Sequence, residues 1–130
     1  MIKRGEARGQ QIPLTINERE FMVQIAGTPR KREVGLSNVD ELPLDEGMLF
    51  IFPEKDYRTF WMKDTLIPLD IIFIDDQYRI VEIFHNVPPC TDNDCEYYRS
   101  IKRAKYVLEI NGGLSSEYGF RMSNLVEFEY

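Results

Sequence analysis

A short polar segment in the middle of the chain carries the residues best suited to binding chemistry. The run FWMKDT at residues 60–65 holds the only tryptophan beside a cation, a carboxylate and a hydroxyl. In an extended segment side chains alternate, so Trp61, Lys63 and Thr65 should point one way. An aromatic face with a cation and a hydroxyl suits a sugar or a small anion. The alternative is that Trp61 packs in the core and Lys63 pairs with Asp70.

Three carboxylates would add hydrolytic chemistry if the fold brought them together. Asp64, Asp70 and Glu109 are the candidates, and two carboxyl groups about 5–5.5 Å or about 6.5–9.5 Å apart permit glycoside hydrolysis. A structural role competes for Asp70, which follows Pro68 on an apolar strand. There it could accept backbone N–H bonds or a bond from a cation and so fix the start of that strand. Asn111, followed by two glycines, could border the same cleft.

Other catalytic schemes and metal sites find little support in the sequence. The only histidine, His85, would have to serve any Ser–His or Cys–His scheme. The chain has no G-x-S-x-G, C-x-x-C or glycine-rich phosphate motif. Structural zinc normally needs a second Cys/His pair in addition to Cys90 and Cys95. We therefore expect no catalytic residue, no metal and no cofactor.

The two cysteines lie five residues apart in a segment rich in proline, aspartate and asparagine. A disulfide between Cys90 and Cys95 would close a small ring and stabilise the fold by about 2 kcal/mol on a chain-entropy estimate. The alternative is two free thiols in a reducing compartment.

Length and charge limit the class of protein. A chain of 130 residues is the size of one domain, and 16 basic against 22 acidic residues give a net charge of −6. This charge favours solubility and argues against a nucleic-acid partner, which requires a basic patch. The short basic run Arg30–Arg32 is expected to be the solvated face of a helix. No apolar run is long enough for a membrane helix, and MIKRGEARGQQ at the start leads into no signal peptide.

The polar segment lies between two apolar runs that predict strands, Met48–Phe52 and Leu69–Ile74. The residues Pro53–Asp56 predict a turn, after which Tyr57–Met62 should return beside the first strand. Leu69–Ile74 is apolar on both faces except at Asp70. This pattern predicts a central strand that is covered on both sides.

Further strands complete a mainly β domain. Two are predicted within Ile12–Ile25, the second of them at Glu20–Ile25. Three more are predicted at Arg79–His85, Ala104–Ile110 and Asn124–Tyr130. A helix of about two turns is also predicted, because Thr28 suits its N-terminal cap, Pro29 its first position and Gly35 its end. A single helical turn is predicted at Ser115–Tyr118. The pattern predicts a single-domain antiparallel β-sandwich or partly closed barrel of about eight short strands with one or two short helices. Residues 1–10 should form a flexible lead-in to the domain at 11–130.

Several longer motifs resemble one known family. They are GMLF at 47–50, FWMK at 60–63, IPLDIIFID at 67–75, PC at 89–90 and YVLE at 106–109 followed by Asn111 and Gly113. Together they are similar to the Domain of Unknown Function 192 family, an uncharacterised conserved protein family. The resemblance implies a small β-rich domain and brings no established activity. Members are often exported or lipid-anchored, which leaves an extracytoplasmic location open and favours the disulfide Cys90–Cys95.

The leading functional hypothesis is a non-catalytic binding domain. It would hold a small polar ligand or a partner's segment in a groove lined by Trp61, Lys63, Thr65 and Asp70, with Asn111 at its border. The alternatives are a hydrolase, perhaps directed at glycans, that uses clustered carboxylates, and a structural or assembly module without a pocket.

Overall fold

The structure is a computed structural model that describes residues 10–130, so the expected lead-in at 1–10 lies almost wholly outside the described residues. The described chain contains nine strands and two short helices. The strands are β1 (Gln11–Ile16), β2 (Arg19–Ala26), β3 (Glu46–Asp56), β4 (Thr59–Trp61), β5 (Leu69–Ile74), β6 (Ile80–Val87), β7 (Tyr97–Arg99), β8 (Ala104–Asn111) and β9 (Val126–Glu127). The helices are α1 (Pro29–Val34) and α2 (Leu114–Glu117). None of the described helices is long and apolar enough to cross a bilayer.

Seven strands form one curled sheet in the order β6-β5-β8-β3-β2-β1-β9. Backbone pairing of Arg79 with Leu125 joins the two ends of this sheet. The Val126 N–H also donates to the carbonyl of Tyr78 at 2.8 Å. The architecture is therefore a partly closed barrel, which confirms the predicted mainly β class.

The strand pairs are antiparallel with one exception. Strands β2 and β3 are parallel, and α1 lies in the connection between them. Parallel neighbours require such a crossover connection.

Strand β5 is central, as predicted, and all six of its residues are buried. Its alternating side chains enter two different cores, because successive residues of a strand face opposite sides of the sheet. Ile72 and Ile74 belong to the barrel core, the cluster inside the curled sheet. Ile71 and Phe73 belong to the outer core, the cluster on the other side.

Three local predictions were wrong. Residues Pro53–Asp56 continue β3 and do not form a turn. The pairing of β3 with β8 is irregular between Ile51 and Asp56, so the missing N–H of Pro53 falls where the regular ladder is interrupted. The segment Tyr57–Met62 contributes β4, which pairs with β7 in a separate two-stranded sheet and not with β3. The C-terminal strand covers only Val126–Glu127.

Helix α1 begins and ends as the sequence predicts. The Thr28 hydroxyl accepts the N–H of Lys31 at 3.2 Å, and Pro29 occupies the first helical position. Gly35 follows the helix with a positive φ of 50°, a backbone conformation that favours glycine. The helix is held against β3, because the Arg32 guanidinium donates to the carbonyl of Ile51 at 3.0 Å.

Candidate functional site

A pocket of about 280 Å³ opens on the outer side of the sheet, where α1, β3 and β4 meet. Four aromatic rings line it, from Phe50, Phe52, Phe60 and Trp61. Seven polar or charged residues of the described chain also line it: Arg32, Glu33, Ser37, Thr59, Lys63, Thr65 and Glu109. The pocket therefore contains Trp61, Lys63 and Thr65, the three residues that strand alternation predicts to face the same way.

Trp61 lies at the rim of the pocket and not in the core. Its side chain is 48% exposed, and its ring stacks on Tyr97 with the two ring centroids 5.6 Å apart and the planes 7° apart. The stacking follows from the β4–β7 pairing, which places Trp61 directly opposite Tyr97. The indole is thus presented to solvent on a rigid two-stranded support.

Lys63 is held by the cysteine loop and not by Asp70. Its ammonium donates to the carbonyl of Asp92 at 2.8 Å and to Oδ1 of Asn93 at 3.0 Å. Asp64 Oδ1 lies 4.0 Å away. An ammonium has three donors, so one N–H of Lys63 remains for a molecule in the pocket.

The loop that holds Lys63 is closed by a disulfide between Cys90 and Cys95, the bridge that the resemblance favours. Cys90 forms backbone bridges with both Lys63 and Thr65. The Cys90 N–H donates to the carbonyl of Thr65 at 3.3 Å, and the Asp64 N–H donates to the carbonyl of Cys90 at 2.9 Å. The disulfide ring therefore fixes the backbone that presents Lys63 and Thr65.

Thr65 and Glu109 form the buried polar part of the lining. Thr65 is 6% exposed and Glu109 is 4% exposed. Glu109 lies on β8 opposite Met48 of β3 and Ile71 of β5, so apolar neighbours flank it on both sides. Within residues 10–130 its carboxyl group has no hydrogen-bond or ion-pair partner. Burial raises the pKa of Glu109 to about 8, so this group is a neutral carboxylic acid at pH 7.

Asp70 lies on the other side of the sheet from Glu109. It pairs with Ile110, a residue of the barrel core, whereas the neighbouring pair joins Ile71 to Glu109. One carboxylate oxygen of Asp70 accepts the N–H groups of Asn86 at 2.7 Å and of Gly113 at 2.9 Å. The other oxygen accepts both the N–H and the hydroxyl of Ser115, at 2.7 and 2.6 Å. The carboxylate thus joins β5, β6 and α2, and this is the structural role weighed for it above.

The remaining predicted residues also lie outside the pocket lining. The Asn111 amide donates to the carbonyls of Leu42 at 2.7 Å and Pro43 at 3.3 Å, which ties a long loop to the end of β8. Asp64 is an exposed residue with φ of 61° at a turn. Of the three carboxylates proposed for hydrolysis, Glu109 alone reaches this pocket within the described chain.

Sequence reasoning missed the contribution of α1. Arg32 was expected on a solvated helix face, but it is half-buried, and its guanidinium lies 5.0 Å from the ring centroid of Phe52. Glu33 and Ser37 join it in the lining. The sequence feature that could have indicated this contribution is Gly35. A glycine at the end of a helix predicts that the chain turns there, which brings Ser37 back toward the sheet.

Comparisons with known proteins agree with this fold. The model of the Domain of Unknown Function 192 family, described as an uncharacterized ACR, matches residues 12–128. The crystal structure of a protein of unknown function from Novosphingobium aromaticivorans is similar, with 33% identity, a TM-score of 0.86 and coverage of 98% of this chain and 91% of that chain. A proposed transcription regulator from Sinorhizobium meliloti has 30% identity, a TM-score of 0.82 and coverage of 91% and 92%. No curated protein matches. The chain belongs to the Domain of Unknown Function 192 family.

Proposed function

We propose that this protein is a non-catalytic binding domain that holds a small polar ligand in the pocket beside Trp61, Lys63 and Thr65. The observation that carries the proposal is the convergence of these three side chains on one pocket. Each of them has a group free to meet a ligand: the exposed indole, one N–H of Lys63 and the Thr65 hydroxyl. At about 280 Å³ the pocket lies at the small end of ligand sites, which span roughly 300–1,000 Å³.

The composition of the lining supports this function. Ligand pockets typically combine apolar and aromatic walls with a few polar groups that orient the ligand. Here Phe50, Phe60 and Trp61 provide the walls. Lys63 and Thr65 are held in place by the disulfide loop, because Cys90 pairs with the backbone of both. Such pre-organised groups lose little entropy when a ligand binds. Asp70 and Asn111 stay outside the proposed site, because neither lines the pocket and protein partners bind the Asp70 carboxylate and the Asn111 amide nitrogen.

Thermal-shift measurements with a panel of monosaccharides, amino acids, amines and short carboxylates test the proposal. A ligand present at 100 times its Kd stabilises the folded protein by about 2.7 kcal/mol, which raises the midpoint by several degrees. We expect at least one class of compound to raise the midpoint of the wild-type protein. Trp61→Ala and Lys63→Ala should reduce that rise by half or more.

Two matched variants serve as controls. Tyr130→Ala removes another exposed aromatic ring, and Lys102→Ala removes an exposed cation; neither residue lines the pocket. Both should respond to the compounds as the wild-type protein does. The proposal fails if no compound shifts the midpoint, or if the shift survives both pocket substitutions.

A hydrolase is the second candidate, and the buried carboxyl group of Glu109 favours it. A neutral carboxylic acid in an apolar pocket is suited to protonate a leaving group. Glycoside hydrolysis needs a second carboxylate, and Glu33 is the other carboxylate in the lining. Turnover of 4-nitrophenyl glycosides that is lost in Glu109→Gln would support this candidate over simple binding.

A further inference from the structure

Several side chains in the lining have hydrogen-bond donors that the described residues do not use. Arg32 uses one of its five guanidinium N–H groups on Ile51, and Lys63 uses two of three on the cysteine loop. The hydroxyls of Ser37 and Thr65 can each donate one further bond. Glu33, an exposed residue of α1, is the only other acidic residue in the lining within the described chain.

Glu109 adds a fifth donor when it is neutral. Burial alone raises its pKa to about 8, with no contribution from Arg32 or Lys63. Its carboxylic acid therefore offers one O–H group at neutral pH, together with acceptor capacity. This O–H group has no acceptor among the described residues, so a ligand acceptor in the pocket would complete its hydrogen bonding.

Building on the binding function proposed above, we propose that the ligand is a small monocarboxylate. Its carboxylate oxygens would accept hydrogen bonds from the protonated carboxyl group of Glu109 and from the Thr65 hydroxyl, near the charges of Lys63 and Arg32. Its apolar body would lie against Trp61 and Phe60. The ligand and Glu109 then share one proton, an arrangement that adjacent carboxyl groups adopt because both cannot ionise at short distance.

The charges around Glu109 favour an anion over an amine. Lys63 lies 4.0 Å from Asp64 and Glu33 lies 3.9 Å from Arg30, whereas Arg32 forms no ion pair within the described chain, so its positive charge is the one in the lining left for an anion. An anion would neutralise this charge, whereas an ammonium ion would be repelled by it. The two ligand classes should therefore shift the pKa of Glu109 in opposite directions: anion binding raises it further, and amine binding lowers it.

A matched series of probes tests the inference. Butyrate, butanol and butylamine share one alkyl body and differ in the charge of the head group. Trp61 is the only tryptophan and lines the pocket, so its fluorescence reports occupancy. At about pH 6 we expect butyrate to bind at least about tenfold more tightly than butylamine. Affinity for butyrate should fall about tenfold for each pH unit above the pKa of Glu109.

Substitutions at Glu109 test whether its side chain acts as a hydrogen-bond donor to the ligand or only occupies volume in the pocket. Glu109→Gln keeps an N–H donor of similar shape, so it should retain butyrate binding within about threefold and lose the pH dependence above about pH 8. Glu109→Leu removes the donor and should weaken butyrate about tenfold or more, with butanol little changed. Exposed Glu129→Gln should alter neither property.

The outcomes distinguish this inference from the proposed function. If butylamine or butanol binds more tightly than butyrate at the Trp61 pocket, the pocket is a binding site but the carboxylate assignment is wrong. Butyrate affinity that rises with pH overturns it as well. If none of the probes changes Trp61 fluorescence, and no compound of the wider panel shifts the thermal midpoint, the binding function itself fails.

Discussion

Glu109 shows how one buried carboxyl group sets the pH dependence of stability. The folded state keeps its proton up to about pH 8, whereas an unfolded glutamate releases it near about pH 4.3. Between these values the folded state binds more protons than the unfolded state. The free energy of unfolding therefore falls as pH rises through this window.

We expect Glu109→Gln to remove this dependence. Below about pH 4 the variant should match the wild-type protein, and near about pH 8.5 it should be more stable by on the order of a few kcal/mol. Urea denaturation at a series of pH values measures both. Glu129→Gln makes the same change on an exposed side chain and should follow the wild-type curve. Parallel curves for the wild-type protein and Glu109→Gln would contradict a buried, partnerless carboxyl group.

At the scale of the elements, β3 depends on close contact with the strand beside it. Gly47 lies opposite Ile110 of β8, and a Cβ atom built on Gly47 would lie 2.5 Å from the Glu109 carbonyl oxygen and 2.9 Å from Ile110 Cγ2. The first obstacle is backbone, which cannot move without separating the strands. Any larger residue at Gly47 must therefore disturb the strand that carries Glu109.

We expect Gly47→Ala to lower the free energy of unfolding by about 1–3 kcal/mol or more. Gly27→Ala is the matched control, because its Cβ would meet Ile25 Cγ2 at an ordinary 3.6 Å. That variant should stay within about 1 kcal/mol of the wild-type protein. Denaturant midpoints of the three proteins measure the difference, and equal losses at the two glycines would show that strand contact is not the cause.

At the scale of the whole molecule, the segment before and within β9 closes the barrel. Val126 is 1% exposed in the barrel core and bonds to Tyr78, while Asn124 accepts the Ile80 N–H at 3.0 Å. Strand β9 also pairs with β1. The two ends of the sheet are thus stabilised by the same short segment.

Val126→Ala should therefore loosen both ends together. We expect a loss of about 1–3 kcal/mol and faster amide hydrogen exchange in both β1 and β6. Glu127→Ala alters the exposed neighbour on the same strand and should leave exchange in β6 unchanged. Faster exchange in β1 alone, with β6 unaffected, would show that the barrel is not closed at this point.

The sequence alone determined the features that depend on neighbours along the chain. A run that is apolar on both faces predicted β5 as a covered central strand, and strand alternation grouped Trp61, Lys63 and Thr65 on one side. Turn and cap chemistry predicted α1 from Thr28 to Gly35. These predictions succeeded because side-chain period and capping act within a few residues.

Only the tertiary structure decided which distant groups meet. Asp70 and Glu109 both read as candidate site carboxylates, yet the register of β5 with β8 places them on opposite faces of one sheet. The crossover brings Arg32 to the pocket. The Lys63 ammonium bonds to the disulfide loop and not to Asp70, the partner that the alternative interpretation of the sequence gave it. The physical reason is that a one-residue change in register turns every side chain to the other face, and register is set by packing between strands far apart in sequence.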